Sequence, residues 1–239
     1  MGKWTRRGVL SAGVLGGTGL VIAVAVRPGN PTDTAGHLVA GEGENLLHIY
    51  LKIDAENLAT AILPHSEMGQ GAQTALTQML AEEMDADWDL MRFEEAPANA
   101  EYANMAVGRG YLFKGVNFPD AVVPTVDGLM LNLADAMGMQ ITGGSMSIRT
   151  TGQYFLRAAG ASVREMLVKT ASKVWGVPES EIRTAKSKLH HDSSSRSVAY
   201  SEFAAAAAEI TPSSTPKLKK TSQFSVMGQS KPRHDIPSK

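Results

Sequence analysis

The chain has 239 residues, of which 43% are hydrophobic and 20% are charged, and its 23 basic and 24 acidic side chains leave a net charge of −1. One or two domains of about 150 residues fit this length, and the composition is typical of a folded protein. The near-neutral charge excludes the basic footprint of a general nucleic-acid-binding protein. Cysteine is absent, which excludes disulfides, thiolate zinc sites, Cys-ligated iron–sulfur clusters and covalently attached c-type haem on this chain.

Residues 1–26 are predicted to be a targeting segment and not part of the fold. Basic residues at positions 3, 6 and 7 precede an uncharged, glycine-rich apolar run at 8–26, as in an export signal. Thr5-Arg6-Arg7-Gly8-Val9-Leu10-Ser11 resembles a twin-arginine motif, and Ala23-Val24-Ala25 offers a small-x-small cleavage site. An uncleaved membrane anchor is the alternative, since the apolar run approaches the length of about 20 residues that spans a bilayer.

The first half of the folded part is predicted to mix strands and helices. A linker rich in Pro, Gly and Thr occupies 27–45, and a domain follows at 46–210. Patterns rich in β-forming residues predict strands at Leu46–Ile53 and Leu58–Leu63, with a turn at Asp54–Asn57 between them. Helical spacing of apolar residues predicts a helix at Ala72–Met84, and a short strand is predicted at Leu90–Phe93.

The second half is predicted to be mainly helical. Apolar residues at helical spacing from Val126 to Met137, with Thr125 as N-cap, predict one helix. A longer helix is predicted from Gln153 to Trp175, ended by a glycine and a proline, and a small one begins near Tyr200. Residues 211–239 are rich in Ser, Pro and Lys and are predicted to be an exposed basic tail. Helices and short strands are mixed without a regular β-α-β alternation, so the predicted fold class is α+β.

The first candidate site is Gly69-Gln70-Gly71, which lies between a predicted strand and a predicted helix. Glycines let backbone N–H groups approach a ligand closely, and the helix that follows presents the positive end of its dipole to an anion. The amide of Gln70 offers a donor and an acceptor to a phosphate or to a heterocyclic ring. A tight strand-to-helix turn without a ligand explains the same pattern.

The second candidate site, Thr142-Gly143-Gly144-Ser145-Met146-Ser147, precedes the longest predicted helix. It again combines glycines and hydroxyl side chains with a helix start. Two such loops in one domain suit a ligand with a pyrophosphate or several polar edges. Neither loop matches the Walker A pattern or the G-x-G-x-x-G dinucleotide fingerprint.

Other polar clusters give weaker indications. His190-His191-Asp192 could ligate a metal, but adjacent histidines before three serines are more typical of an exposed loop. Residues 67–101 hold nine acidic side chains and one basic one, which we interpret as a solvated face because the spacing fits no EF-hand. Glu67, beside the first loop, is a weak candidate for a general base. The sequence therefore assigns neither a catalytic residue nor a metal ligand.

The two loops carry a resemblance to a known family. His65-Ser66-Glu67-Met68-Gly69-Gln70-Gly71, with Leu80-Ala81-Glu82-Glu83 downstream, resembles the molybdopterin-binding subunit of the xanthine dehydrogenase/aldehyde oxidase family. Gly143-Gly144-Ser145-Met146-Ser147-Ile148-Arg149 resembles the second cofactor loop of its exported bacterial branch, the isoquinoline 1-oxidoreductase beta subunit and related aldehyde dehydrogenases. The usual pattern there has Thr in place of Met146. The resemblance implies the N-terminal part of a molybdopterin-binding domain.

The resemblance also implies a cofactor and the residues that bind it. In that family the glutamine of the first turn hydrogen-bonds the pterin, and main-chain groups of the second loop approach the metal and cofactor. The residues that inherit these cofactor-binding roles are Gly69, Gln70, Gly71, Gly143, Gly144, Ser145 and Ser147. The implied cofactor is a molybdenum cofactor of the molybdopterin cytosine dinucleotide type.

The implied reaction is hydroxylation of an N-heterocycle or an aldehyde with oxygen taken from water. The implied partners are a small subunit with two [2Fe–2S] clusters and, in some members, a c-type cytochrome; the implied location is the periplasm, reached by the twin-arginine pathway.

One departure from the family changes the expected activity. Family members of this branch are much longer, and their catalytic glutamate lies in a Gly-Glu segment near the far C-terminus. We therefore expect this chain to be an incomplete component that is inactive alone and is completed by a chain carrying the rest of the molybdenum subunit. Two alternatives stay open: a non-catalytic truncated remnant, and an exported module whose glycine loops bind an unrelated anion.

Overall fold

The computed structural model describes residues 36–103, 137–213 and 215–233, together with 113, 116–119 and isolated positions at 122, 126, 130, 134 and 236. The predicted export signal lies outside the described residues. Among the helices that are described, none combines the length and the apolar character needed to cross a bilayer.

The first sheet has four strands in the order β1-β2-β3-β4. They are β1 (Asn45–His48), β2 (Leu51–Ile53), β3 (Ala59–Leu63) and β4 (Met91–Glu95). The first three strands are antiparallel neighbours, and β4 pairs parallel to β3. This sheet, together with the helices described in the following paragraphs, confirms the predicted α+β class.

The single strand predicted at Leu46–Ile53 is wrong, because the chain reverses at Ile49 and Tyr50 to form the β1–β2 hairpin. Both turn residues are buried, so the sequence shows no polar turn signal. The hydroxyl of Tyr102 donates a 2.8 Å hydrogen bond to the carbonyl oxygen of Ile49. A distant side chain thus satisfies the turn carbonyl that water would bind at the surface.

The helices are α1 (Gly36–Val39), α2 (Ala72–Glu83), α3 (Arg157–Trp175) and α4 (Tyr200–Ala208), and a π-helical segment at Ser147–Leu156 leads directly into α3. The predicted start of α2 is confirmed. Helix α2 connects the parallel strands β3 and β4, so the fold contains one β-α-β unit that the sequence analysis missed.

The predicted start of the longest helix at Gln153 is late, because helical structure begins at Ser147. The first turns contain Thr150, Thr151 and Gly152, which are poor helix formers. The low helix propensity of these residues therefore makes the helix start difficult to predict from the sequence. The helix predicted from Thr125 lies mostly outside the described residues; of its described positions, Met130 is buried, whereas Met137 is 63% exposed and does not continue the apolar stripe.

A second sheet that the sequence analysis did not predict follows α3. Strands β5 (Ile182–Ala185), β6 (Lys188–His191) and β7 (Arg196–Ala199) form an antiparallel meander. Single 3₁₀ turns lie at Trp88–Leu90, Ala100–Tyr102, Glu179–Glu181, Asp192–Ser194 and Thr221–Gln223. The strands are four residues long and rich in charged and polar side chains, so their apolar alternation is too brief to recognise.

One hydrophobic core joins the first sheet to the helices. Buried side chains from β1–β3, α2, the π-helical segment, α3 and α4 form a single cluster. Leu63 at the end of β3 and Leu76 in α2 are both in it, with at most 1% exposure. The loop between them, which carries the first candidate site, is therefore anchored at both ends.

Helices α2 and α3 approach each other closely at Gly160. A Cβ atom added there would lie 2.5 Å from the carbonyl oxygen of Leu80 and 3.0 Å from Cβ of Glu83. The obstacle includes backbone of α2, which cannot move without separating the helices. Gly160 is thus required by packing.

We predict that Gly160→Ala lowers the free energy of unfolding by about 1–3 kcal/mol, as overpacked cores do. The direction is diagnostic, because Gly→Ala inside an unobstructed helix stabilises it by up to about 1 kcal/mol. Urea unfolding monitored by circular dichroism measures the change. A gain in stability would contradict the close approach of α2 and α3.

Residues 217–233, called the docking segment below, run back across α2. The amide N–H groups of Ser225, Val226 and Met227 donate to Oε2 of Glu82 at 2.8, 2.6 and 3.0 Å. The ammonium of Lys219 lies 2.9 Å from Oε1 of the same carboxylate. Burial raises the pKa of Glu82, but these donors, led by the amide of Val226, outweigh it and keep the pKa below its usual value.

This packing corrects two expectations. Glu82 and Glu83 are fully buried, so the interpretation of residues 67–101 as a solvated acidic face is wrong at these two positions. Many residues of the predicted exposed tail are solvent-accessible. Even so, Val226 is buried and Lys219 is paired, so the part of the tail within the docking segment is held on the domain.

Candidate functional site

The first loop is a tight turn in which glycine is required by backbone conformation. Gly69 and Gly71 have φ of +92° and +76°. Apart from the adjacent residues, no atom of the described part of the chain lies within 4 Å of a Cβ placed on either. The exposed side chain of Gln70 folds onto its own loop, with Oε1 2.5 Å from the amide of Met68 and Nε2 3.0 Å from the carbonyl oxygen of Ser66. Both contacts are local, and rotation of Gln70 would free its amide for a ligand.

The start of α2 is occupied by a carboxylate of the chain itself. The amide N–H of Gly71 donates to Oε1 of Glu67 at 2.8 Å, and that of Gln73 donates to Oε2 at 3.3 Å. Arg233 of the docking segment lies 3.3 Å from Oε1 of Glu67. Glu67 thus fills the position in which the sequence analysis expects an anionic ligand, and its carboxylate serves to cap the helix.

The second loop is a reversal that ends in the π-helical segment. Gly144 and Ser145 both have left-handed backbone angles, with φ of +64° and +56°. The amide of Met146 donates to the carbonyl oxygen of Gly143 at 3.4 Å. Ser145 is exposed at the tip, whereas Ser147 at the start of the helical segment is buried. The main chain of Gly143–Ser145 therefore faces a more open environment than Ser147 does.

His65 joins the two loops. Its ring is 2% exposed, with Nδ1 3.3 Å from Oγ1 of Thr142 and 3.2 Å from Oγ of Ser147. Its Nε2 lies 2.8 Å from Oγ1 of Thr151. The amide of Ser66 also donates to Oγ1 of Thr142 at 2.9 Å. Loops 77 residues apart in sequence therefore meet at one hydrogen-bonded junction.

Burial lowers the pKa of His65 to about 4, so the imidazole is neutral at physiological pH. A neutral imidazole carries one N–H donor and one acceptor nitrogen, and hydroxyl groups can match either role. His65 belongs to the motif that precedes the first loop, but the sequence pattern predicted no role for it. The available signal was a histidine placed directly after a buried strand and before a glycine turn.

The remaining metal candidate is a structural cluster. His191 lies on β6 and is buried, with Nε2 2.9 Å from a carboxylate oxygen of Glu181 and Nδ1 2.6 Å from Oγ of Ser194. Asp192 pairs with Arg183 at 3.1 Å. The expectation that this histidine lies in an exposed loop is wrong. Over the described ranges, no group of three or more His, Asp or Glu side chains is placed to hold a metal ion.

Comparison with known proteins finds sequence similarity to two curated proteins. No family model matches the sequence. The chain is 34% identical over 161 residues to the isoquinoline 1-oxidoreductase subunit beta of Brevundimonas diminuta, which covers 66% of this chain and 16% of the relative. It is 25% identical over 188 residues to the membrane-bound aldehyde dehydrogenase [pyrroloquinoline-quinone] of Gluconacetobacter polyoxogenes, covering 77% of this chain and 19% of the relative.

The chain therefore spans less than a fifth of the length of these curated relatives. Both relatives are named as oxidoreductases, and the first is named as one subunit of an assembly. The similarity agrees with the resemblance carried by the two glycine loops. The chain is thus related to the isoquinoline 1-oxidoreductase beta subunit over 66% of its own length.

Proposed function

We propose that this chain forms one wall of a molybdenum-cofactor site in an oxidoreductase that hydroxylates N-heterocycles or aldehydes with oxygen from water. The observation that carries the proposal is the junction at His65, which brings the two family-like glycine loops side by side. A chain carrying the rest of the molybdenum subunit supplies the substrate pocket and the proton-accepting glutamate. On this proposal the isolated chain is inactive.

The exposed edge of the two loops fits a polar heterocyclic ring. Among the described residues, the amide oxygen and the amide nitrogen of Gln70 contact backbone groups of its own loop. None of the described residues outside the turn fills the space in front of Gly69 and Gly71, so a flat ring can approach the backbone. A phosphate at the start of α2 does not fit, because Glu67 already accepts those N–H groups.

On this proposal, each loop contributes a different kind of contact to the cofactor. Gln70 would turn outward and hydrogen-bond the pterin. The main chain of Gly143, Gly144 and Ser145, with the start of the helical segment at Ser147, would contact the same cofactor from the second loop. When bound, the cofactor supplies a redox metal centre that accepts the electrons of the hydroxylation. We assign it to the molybdopterin cytosine dinucleotide type. A small two-cluster [2Fe–2S] subunit, with a c-type cytochrome in some assemblies, receives the electrons.

Molybdenum content tests the proposal directly. Protein purified gently from its native host is analysed for molybdenum per chain by plasma mass spectrometry, and pyrroloquinoline quinone is measured in parallel because one relative bears that name. Near one molybdenum per chain, with a co-purifying larger chain, supports the proposal. Stoichiometric quinone without molybdenum overturns it, and absence of both favours a remnant or an unrelated anion-binding module.

We predict that Gln70→Ala lowers molybdenum occupancy of the complemented complex by about 10-fold or more, as expected for losing hydrogen bonds worth about 1.5–3 kcal/mol. Stability should change by less than about 0.5 kcal/mol, because the side chain is exposed. The control is Gln229→Ala, an exposed position outside both loops. Equal molybdenum occupancy in the two variants would show that the Gln70 side chain does not bind the cofactor.

We also propose export to the periplasm by the twin-arginine pathway. Arg6→Lys combined with Arg7→Lys keeps the positive charge and removes the paired guanidinium groups, so the protein is expected to stay in the cytoplasm. Cell fractionation with marker enzymes for both compartments measures the distribution. Undiminished appearance in the periplasm would show that another route exports the chain.

A further inference from the structure

We infer that His65 is a positioning residue that fixes the distance between the two glycine loops through the hydroxyl groups of Thr142, Ser147 and Thr151. The inference concerns the loop geometry, and it rests on the proposed function only for its consequence, cofactor retention.

The contacts of His65 fall on two different structural units. Nδ1 meets Thr142 in the second loop and Ser147 at the start of the π-helical segment, and Nε2 meets Thr151 one turn further along. Ser147 and Thr151 are four residues apart, so they present hydroxyls on one face of the segment. The imidazole therefore sets both the position of the second loop and the rotation of the helical segment that follows it.

The junction is also rigid on the side of the first loop. His65 follows β3 by two residues, and its carbonyl oxygen accepts from Nε2 of Gln73 in α2 at 3.3 Å. The amide of Ser66 donates to Thr142, which adds a main-chain link between the loops. A shift of the imidazole would thus move the second loop relative to Gln70, which is five residues further along the chain.

The cysteine-free sequence allows this geometry to be measured. Met68 and Ser145 are exposed residues in the first and the second loop. The double substitution Met68→Cys and Ser145→Cys in the full chain gives two unique sites for nitroxide labels. Pulsed electron paramagnetic resonance then reports the distribution of distances between the loops.

Variants of the junction are compared in this labelled background. Thr142→Val removes the bridging hydroxyl with little change in shape, and Thr142→Ser restores it. His65→Leu removes both ring contacts, whereas His65→Gln keeps a side chain able to reach one of them. The control is Thr170→Val, which removes a buried hydroxyl that donates to Met166 within α3 at 2.9 Å, away from both loops.

The expected result is a broadened distance distribution in Thr142→Val and His65→Leu, partial recovery in His65→Gln and full recovery in Thr142→Ser. The control keeps the narrow distribution even if it loses a similar amount of stability. Molybdenum content of the complemented complex should fall in the same order. An unchanged distribution in Thr142→Val and His65→Leu overturns the inference. Full molybdenum loading despite a broadened distribution would support the loop geometry and overturn its consequence for cofactor retention. Absence of molybdenum from the unmodified complex would defeat the proposed function and leave the loop geometry to be decided by the label distances alone.

Discussion

Replacing Arg157 by methionine is expected to lower the free energy of unfolding by about 3 kcal/mol. This is the lower end of the usual cost of leaving a buried charge without its partner, because the guanidinium of Arg164 still lies 3.9 Å from Oε2 of Glu83. The side chain of Glu83 is fully buried, and the guanidinium of Arg157 contacts Oε1 through Nε at 2.8 Å and Nη2 at 2.5 Å. The amide of Lys219 holds the other oxygen at 2.9 Å. Methionine fills much of the same volume but cannot compensate the carboxylate.

Arg183→Met is the matched control for this prediction. Arg183 and Asp192 form a pair whose side chains are 53% and 74% exposed, and such surface pairs contribute at most about 1 kcal/mol. Urea unfolding of both variants gives the comparison. The double variant Arg157→Met with Glu83→Leu should recover part of the lost stability, because apolar replacement of both partners removes the buried charge. Similar losses in Arg157→Met and Arg183→Met would contradict the buried network.

The second large effect is a dependence of stability on pH caused by His65. Burial lowers its pKa from 6.5 to about 4 in the folded protein, so the unfolded chain takes up the proton first as the solution is acidified. The stabilisation is complete above pH 6.5 and is lost as the pH falls towards 4. A shift of this size corresponds to up to about 3 kcal/mol.

The difference between the wild type and His65→Gln isolates this contribution. Carboxylates with a lowered pKa, such as those of Glu82 and Glu165, also lose stabilisation as the pH falls, but they are present in both proteins. Denaturant unfolding at pH 4, 5, 6 and 7 should show the wild type losing more stability than the variant, with most of the divergence below pH 6.5. A constant difference across this range would show that His65 titrates normally.

The parts of the fold that were predicted correctly are those in which local pattern and tertiary structure agree. Helix α2 begins at Ala72, after a glycine turn, and carries apolar residues at helical spacing. Strand β3 lies within the predicted Leu58–Leu63. The β1–β2 hairpin was missed because its turn at Ile49 and Tyr50 is stabilised by Tyr102, which is 53 residues from Ile49, and no local pattern reveals such a partner.

The burial of charged side chains could not be predicted from the local sequence either. Glu82 and Glu83 look like part of an acidic surface because their partners, Arg157 and Lys219, lie 74 and 137 residues away. The candidate site shows the same limit. Glycines predicted both loops individually, whereas their meeting at His65 depends on hydroxyls more than 70 residues away. The capping role of Glu67 was easier to predict from the sequence, since an acidic side chain shortly before a helix start is a common capping pattern.

The docking segment has a consequence for the order of folding during synthesis. Three amide N–H groups that donate to Glu82 belong to Ser225, Val226 and Met227. Until the ribosome has released that stretch, two carboxylates of α2 lack Lys219 and these amides, and burying them without partners is unfavourable. The C-terminal end of α2, where it packs on α3, therefore reaches its final packing after translation has passed residue 227, however early the helix itself forms.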